Sequence, residues 1–557
     1  MSDNRGGEGG KSAMLDQLDQ ANPISRALPA LAGALTSLVA LVVFLRGQVP
    51  FEDAAILFRY SENLANGLGV VYNPSGPRVD GATDMLFMAL IAALIKLGLS
   101  TVLAAAILNA LGFGLLVFLI MYSWIKWSNL PLTFSVLPIV VVLLGPAWLQ
   151  STAGFGTVFF CALCALVAFS SEWSYRSGFT RKSLLLVALF ASLCGLDRPE
   201  GFLISGALLL CAAVVHRSWQ VLWVPALVLI PIGVAWVAWR WSYFGYPLPN
   251  PFYKKGGGSL YGDGFRSSLS NLKRTAIPFL AVAVIGAGVR ESRRRSVAVL
   301  AVFAFWCCLW VLLSDEMNFW GRFQYPIIGI LAISCASVAG ELRASEILSS
   351  RIWARSVVVV LLMSSFIVCS VSVLTYGVTT IQTVAQPLTV EQNMPASVSQ
   401  VLERFKGSGS KTVASSEAGF VGWKSGWKVT DLWGLNDKII AHDGYLSEQE
   451  LRKLNPDVIF VHWCKSNQEI TGPGTGFACL KGWELMTDPL QCFIDGASYK
   501  TAGLWIDGWD YSWGVYVNPK FPRGDKLIED FRLMPAGGRL EASSQGPLPF
   551  PARGCRG

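Results

Sequence analysis

Phe51-Glu52-Asp53-Ala54-Ala55-Ile56-Leu57-Phe58-Arg59-Tyr60 begins just after the first long apolar run, Ala27 to Leu45, has ended. At about 1.5 Å per residue that run spans the hydrocarbon of a bilayer, which sets Glu52 and Asp53 at the membrane surface away from the N-terminus. Adjacent carboxylates at that depth have two readings. One is the acidic first turn of a helix, favoured by the helix dipole; the other is a pair that does chemistry.

Composition sets the class. The chain has 557 residues, 53% of them hydrophobic and 15% charged, with 21 Trp, the profile of a multi-span helical membrane protein rather than a soluble enzyme or nucleic-acid binder. Its net charge of +8 is concentrated in short breaks between apolar runs: Arg176, Arg181 and Lys182; Arg290 and Arg293 to Arg295; Arg343, Arg351 and Arg355. By the positive-inside rule these breaks are cytoplasmic, so the charge orients the chain and binds no nucleic acid. The polar, Gly-rich residues 1–26 read as a disordered cytoplasmic tail.

Apolar runs at 27–45, 101–123, 131–146, 156–171, 182–196, 200–216, 219–240, 275–289, 296–313, 325–339 and 356–375 predict about 11 transmembrane helices. With the N-terminus inside, all three basic clusters fall inside, provided that Met85 to Leu97 lies in the interface instead of crossing. The fold class is therefore an α-helical polytopic membrane domain over 27–380, with outer loops at 46–100, 241–274 and 314–324, followed by an outer soluble mixed α/β domain over 381–557. That domain follows an outward-going last span and would roof the opening on the acceptor side. Its Trp423, Trp427, Trp433 and Trp463 are candidate sugar platforms, with core packing as the plainer reading. Cys464, Cys479, Cys492 and Cys555 lie in it, and an oxidising compartment favours one or two disulfides among them. With three His in the chain and no Cys/His spacing of a zinc site, no resident metal is assigned.

The outer loops share one chemistry. They carry Glu52, Asp53, Arg59 and Tyr60; Arg78, Asp80 and Asp84; Arg198 and Glu200; Asn250, Tyr253 and Lys254; and Asp315 and Arg322. Carboxylates take a proton from an acceptor hydroxyl or steady a developing positive sugar centre, while Arg and Lys hold phosphate. Plainer readings stand beside these: a local Arg198–Glu200 ion pair, a turn shaped by Pro247 and Pro249, and helix capping by Asp431, Asn436 and Asp437.

In order, Glu52-Asp53-x-x-Ile56-x-Phe58-Arg59-Tyr60, Gly67-Leu68-Gly69-Val70-Val71-Tyr72-Asn73-Pro74, Arg78-Val79-Asp80-Gly81-Ala82-Thr83-Asp84, Arg198-Pro199-Glu200-Gly201, Pro247-Leu248-Pro249-Asn250-x-Phe252-Tyr253-x-Lys255 and Thr430-Asp431-Leu432-Trp433-Gly434-Leu435-Asn436-Asp437 resemble the GT-C membrane glycosyltransferases, most of all the branch of the mycobacterial terminal arabinofuranosyltransferases. The resemblance implies a GT-C fold and a polyprenyl-phosphate sugar donor, such as decaprenyl phosphate arabinose. It implies a glycan or glycoprotein acceptor outside the bacterial cytoplasmic membrane and no required cofactor, a divalent cation being compatible. It makes Asp53 the main catalytic carboxylate, with Glu52 supporting it or contacting acceptor. Arg198, Lys254 and Arg322, then Arg59 and Arg78, become the candidates for the donor phosphate, and Tyr60, Asp80, Asp84, Glu200, Asn250, Tyr253 and Asp315 those for the rest of the substrate. Two departures stand out: the family has Asp-Asp-aromatic where this chain has Glu52-Asp53-Ala54, and an acidic residue where this chain has Gly156. Alternatives are a ligase or polymerase of lipid-linked glycans, a protein glycosyltransferase of the pilin type and, with no inverted repeat, a transporter.

Overall fold

The computed structural model describes residues 23–46, 50–256, 259–345, 393–407, 411–464, 483–506, 511–534 and 539–541, with scattered helical residues between 360 and 382. Among these, eight helices are long and apolar enough to cross a membrane: Ala27–Leu45, Thr101–Trp127, Thr157–Arg176, Pro199–His216, Gln220–Phe244, Asp263–Gly288, Arg293–Leu312 and Ile327–Ala344. Three further apolar runs end differently. The run at 131–146 breaks into Leu132–Ser135 and Leu137–Leu144, because Pro138 has no N–H and suits the first turn of a new helix. The run at 182–196 forms the shorter helix Arg181–Asp197, which stops where Pro199 forces Arg198 into extended backbone (φ −138, ψ 140). Of 356–375, residues 360, 363–371, 373 and 374 are helical, and the rest, like the tail at 1–22, falls outside the described residues. The apolar run at 275–289 proves to be the second half of a helix that starts at Asp263.

The first loop holds two helices too short to span a bilayer, Glu52–Ala65 and Met85–Lys96. Glu52 and Asp53 occupy the first turn of the former, where negative charge suits the dipole, and Gly67 closes its far end at φ +78. At the other end of the bundle Glu172 gathers Arg176 (2.9 Å), Arg295 and His216 (3.8 Å), while Arg295 also pairs with Glu341 at 2.9 Å. Arg198 and His216 flank one 18-residue helix, so this basic end lies about 27 Å from Arg198.

The C-terminal region builds a six-stranded mixed sheet in the order β2-β1-β3-β5-β4-β6, from β1 Thr412–Ser415, β2 Lys428–Asp431, β3 Val458–Cys464, β4 Lys500–Ile506, β5 Tyr511–Val517 and β6 Arg539–Glu541. β1 runs parallel to β2 and β3, and the other pairings are antiparallel. Alternation along β3 sends Val458 and Phe460 to one face and Ile459 and Val461 to the other. The Ile459 face closes a core with Trp433, Trp463 and Trp483. The Phe460 face joins a cluster that also contains Phe58, Tyr60, Tyr72 and Phe87 of the first loop. The C-terminal domain and the first loop therefore share one hydrophobic core. The four candidate platform tryptophans belong to these cores, at 8%, 2%, 5% and 3% exposure for Trp423, Trp427, Trp433 and Trp463, so their ring faces are already covered. Cys492 is disulfide-bonded, and the eight cysteines from Cys161 to Cys369 are free.

Candidate active site

A cavity of about 850 Å³ opens between the first loop, the Arg198 break and the 309–323 segment. Its charged end carries Asp53, Asp84, Arg198, Glu200, Arg240, Lys255 and Arg322, with Thr83 beside them. Its wall is apolar: Phe202, Leu203 and Leu209 from one helix, Leu229, Ile230, Val234 and Val237 from the next, and Leu309, Leu312 and Leu313 opposite. Along the Gln220–Phe244 helix the lining runs from Arg240 to Leu222, about five turns or about 27 Å.

Asp53 reaches the cavity because it stands one residue, about 100°, around the helix from Glu52. Its Oδ2 accepts a 2.7 Å hydrogen bond from Nη2 of Arg322, whose guanidinium lies 3.9 Å from the Phe155 ring centroid. A tight turn delivers Arg322: Met317, Trp320 and Gly321 have φ of +57, +52 and +65, sparsely populated for the two side chains that carry a Cβ. Contacts with Phe51, at ring distances of 4.4 Å to Phe319 and 5.7 Å to Trp320, hold that turn in place.

Arg198 lies between Glu200 (2.8 Å) and Asp84 (3.5 Å), so the local ion pair and the cavity position coexist. Asp84 also explains Gly156: a Cβ there would sit 2.9 Å from Asp84 Oδ2 and 3.0 Å from the Phe87 ring, leaving no space for an acidic side chain. Asp80, a candidate for substrate, is instead the buried partner of Arg240; burial pushes its carboxyl up to about 6 against the pull of that cation. Arg240 Nε and Nη1 and Arg322 Nε are buried donors with no hydrogen-bond partner among the described residues, and such donors call for an acceptor.

Several sequence candidates are placed elsewhere. Glu52 turns from the cavity: Oε1 accepts from Gly419 N (2.6 Å) and Phe420 N (3.1 Å). Burial pushes its carboxyl up to about 8 despite these backbone donors. Arg59 is a strut, donating to the carbonyls of Tyr72, Gly422 and Trp427 and to Asn73 Oδ1. It is corrected from a phosphate candidate because those acceptors use its donors. Arg78 lies exposed, 4.3 Å from the Tyr243 ring centroid. Lys254 points at the Tyr445 and Trp433 rings (3.8 and 4.6 Å), and its neighbour Lys255 lines the cavity instead, donating to Glu316 O at 2.9 Å. Tyr60 is buried, bonding Val79 O and Gly81 N at 2.9 and 3.0 Å. Asn250 Nδ2 donates to the carbonyls of Gly434, Leu435 and Asp437. Tyr253 packs on Tyr246 and His442, and Asp315 accepts from Ser267 and Asn318. Asp437 caps the Lys438–Asp443 helix, and Asp431 accepts from Trp433 N, Gly434 N and Asn436 N.

Sequence reasoning missed Lys255 and Arg240. Lys255 is the lysine that ends the Pro247 motif, and Arg240 is the one charge inside the Gln220–Phe244 helix, a signal in its own right. Among the described residues no three His, Cys, Asp or Glu side chains are grouped to share a metal ion.

Residues 383–514 match the family model of a domain of unknown function, DUF8728. No curated protein matches the chain in sequence. Among solved structures, ArnT from Cupriavidus metallidurans in the apo state is similar at 12% identity over 88% of this chain and 97% of that one, with a TM-score of 0.55. The same protein bound to undecaprenyl phosphate is similar at 12% identity over 89% and 98%, with a TM-score of 0.53. Arabinofuranosyltransferase AftD from Mycobacteria aligns at 14% identity over 88% of this chain and 40% of that one, with a TM-score of 0.49. The likeness to ArnT is one of fold, and the chain has the GT-C fold.

Proposed function

We propose that the protein is a membrane glycosyltransferase that moves a sugar, arabinofuranose in the first instance, from a polyprenyl-phosphate donor to a cell-envelope glycan on the outer side of the cytoplasmic membrane. The observation that carries this reading is one cavity whose charged end sets three carboxylates among four cations and whose remaining wall is apolar over several helical turns. An isoprenoid chain with a single phosphate has the same polarity pattern, and ArnT of the same fold was solved with undecaprenyl phosphate bound. Arg322, Arg198, Lys255 and Arg240 would hold the phosphate. The acceptor oxygen attacks the anomeric carbon and the bond from that carbon to the phosphate oxygen breaks. The polyprenyl phosphate leaves with the electron pair, and the hydroxyl proton passes to Asp53.

The test is to supply purified protein in lipid nanodiscs with decaprenyl phosphate arabinose and an arabinan oligosaccharide. Release of decaprenyl phosphate with extension of the glycan supports the reading. Consumption only of diphosphate-linked glycans would make it a ligase, and neither change would remove transferase chemistry. Mass spectrometry of co-purifying lipid identifies the donor independently.

Two predictions arise here. Gly233 faces the apolar wall, and a Cβ there meets the Phe202 ring at an ordinary 3.5 Å, so Gly233→Trp fills the groove rather than breaking the helix pair. Displacing two or more chain methylenes, at about 0.8 kcal/mol each, should raise the KM for a long-chain donor about tenfold or more. A short-chain donor should be affected little. The second concerns Lys255, whose ammonium is pushed down to about 8, first by burial and then by Arg322. It is a cation below that pH and neutral above, so donor affinity should fall as pH rises through about 8 in the free enzyme. Lys255→Met should lower affinity at neutral pH and flatten this dependence, read as donor KM against pH.

A further inference from the structure

The Glu52–Ala65 helix has two working faces. Asp53, Ala54, Ile56 and Leu57 line the cavity. Glu52, Arg59 and Glu62, spaced along another face, bond the C-terminal region: Glu52 to Gly419 N and Phe420 N, Arg59 to Gly422 O and Trp427 O, and Glu62 Oε1 from Trp423 Nε1 at 2.7 Å. Tyr72 Oη donates to Ala418 O, and Asn73 exchanges hydrogen bonds with the backbone of Val429. The approach is backbone to backbone, since a Cβ on Gly419 would lie 1.8 Å from Glu52 O. All these partners lie within the span 383–514 that matches the domain of unknown function.

We propose that this domain sets the position of Asp53, with Glu52 as the positioning residue that transmits it, so that Glu52 is a latch and not a second catalytic acid. The inference rests on the reading of Asp53 as the reacting carboxylate. Glu52 precedes Asp53 on one rigid turn, and a displacement of about 1 Å in a reacting group can cost about a hundredfold in rate. A glutamine at 52 keeps an oxygen that accepts from Gly419 N and Phe420 N; an alanine keeps nothing.

The experiment compares Glu52→Gln, Glu52→Ala and Asp53→Asn in the full chain, following decaprenyl phosphate release from decaprenyl phosphate arabinose and, separately, deuterium exchange of amides 51–65. Expected for Glu52→Gln is turnover within about threefold of the parent with unchanged exchange. Expected for Glu52→Ala is a kcat about tenfold to a hundredfold lower, donor KM within about twofold, and faster exchange at 51–65. Glu52→Gln falling as far as Asp53→Asn, with exchange unchanged, would make Glu52 a proton-transfer group and overturn the latch. Parent-like turnover and exchange in Glu52→Ala would overturn it as well. Should Glu52→Ala fail to fold, Glu52→Asp, which keeps a carboxylate but is one methylene too short for Gly419 N and Phe420 N, is read by the same two measures. The exchange measurement needs no substrate, so near-normal turnover in Asp53→Asn would sink the role of Asp53 while exchange still decides whether Glu52 docks the domain.

Discussion

Asp53→Asn is expected to lower turnover by about a hundredfold to ten-thousandfold, the usual cost of removing a positioned acid or base. Asparagine keeps the shape of the side chain and an oxygen for Arg322, so the 2.7 Å contact and the turn from Met317 to Gly321 have no steric reason to move. What is lost is the group proposed to take the acceptor's proton, together with the negative charge opposite Arg322. Loss of kcat at near-constant donor KM would fit that account, since the four cations at the charged end remain. The measurement is the initial rate of decaprenyl phosphate release from protein with an unaltered size-exclusion profile. Near-normal turnover in such protein would remove Asp53 from the chemistry.

That Asp53 and not Glu52 faces the cavity was beyond reach of local reasoning. Adjacent helical residues point about 100° apart, and which one meets the substrate depends on what covers the other. Here the cover is Gly419 and Phe420, more than 360 residues away in sequence. Lys254 and Lys255 repeat the case: both are cations in one motif, and only the orientation of the short Asn250–Gly256 helix separates the one against Tyr445 from the one in the cavity. Arg198 and Arg322 were readable because each sits at a forced break, one before a proline and the other after a left-handed turn next to Gly321. The spans were readable wherever apolar length and clean ends coincided, and less so at 131–146, where Pro138 interrupts without changing the composition. The tryptophans misled for a simpler reason. Composition cannot tell a ring that stacks on sugar from one that fills a core, and the cores of the C-terminal domain needed them.

Deleting residues 390–557 is expected to abolish donor binding along with transfer, although the domain contributes to the cavity wall chiefly through Leu435. The sequence alone pointed the other way, to a detachable roof on the acceptor side. The physical reason for the change is the joint core: Phe58, Tyr60, Tyr72 and Phe87 are at most 1% exposed, and they share their cluster with Val398, Trp427, Phe460 and Val515 of the C-terminal domain. Truncation would expose these rings to water, at about 1.5–3 kcal/mol for each large side chain that loses its cover, a sum comparable to the whole stability of a typical domain. It would also strand Arg59 and Glu52 without the backbone partners that now satisfy them. The helix carrying Asp53 would then keep its contacts with Ala153, Arg322 and the Met85–Lys96 helix, but with the other face bare. Thermal unfolding with and without added undecaprenyl phosphate measures this directly. The full chain should show a lipid-dependent rise in Tm, and the truncated chain none. A truncated protein that still unfolds cooperatively and is stabilised by the lipid to the same extent would show the donor pocket to be complete without the domain, and would return the domain to the acceptor side alone.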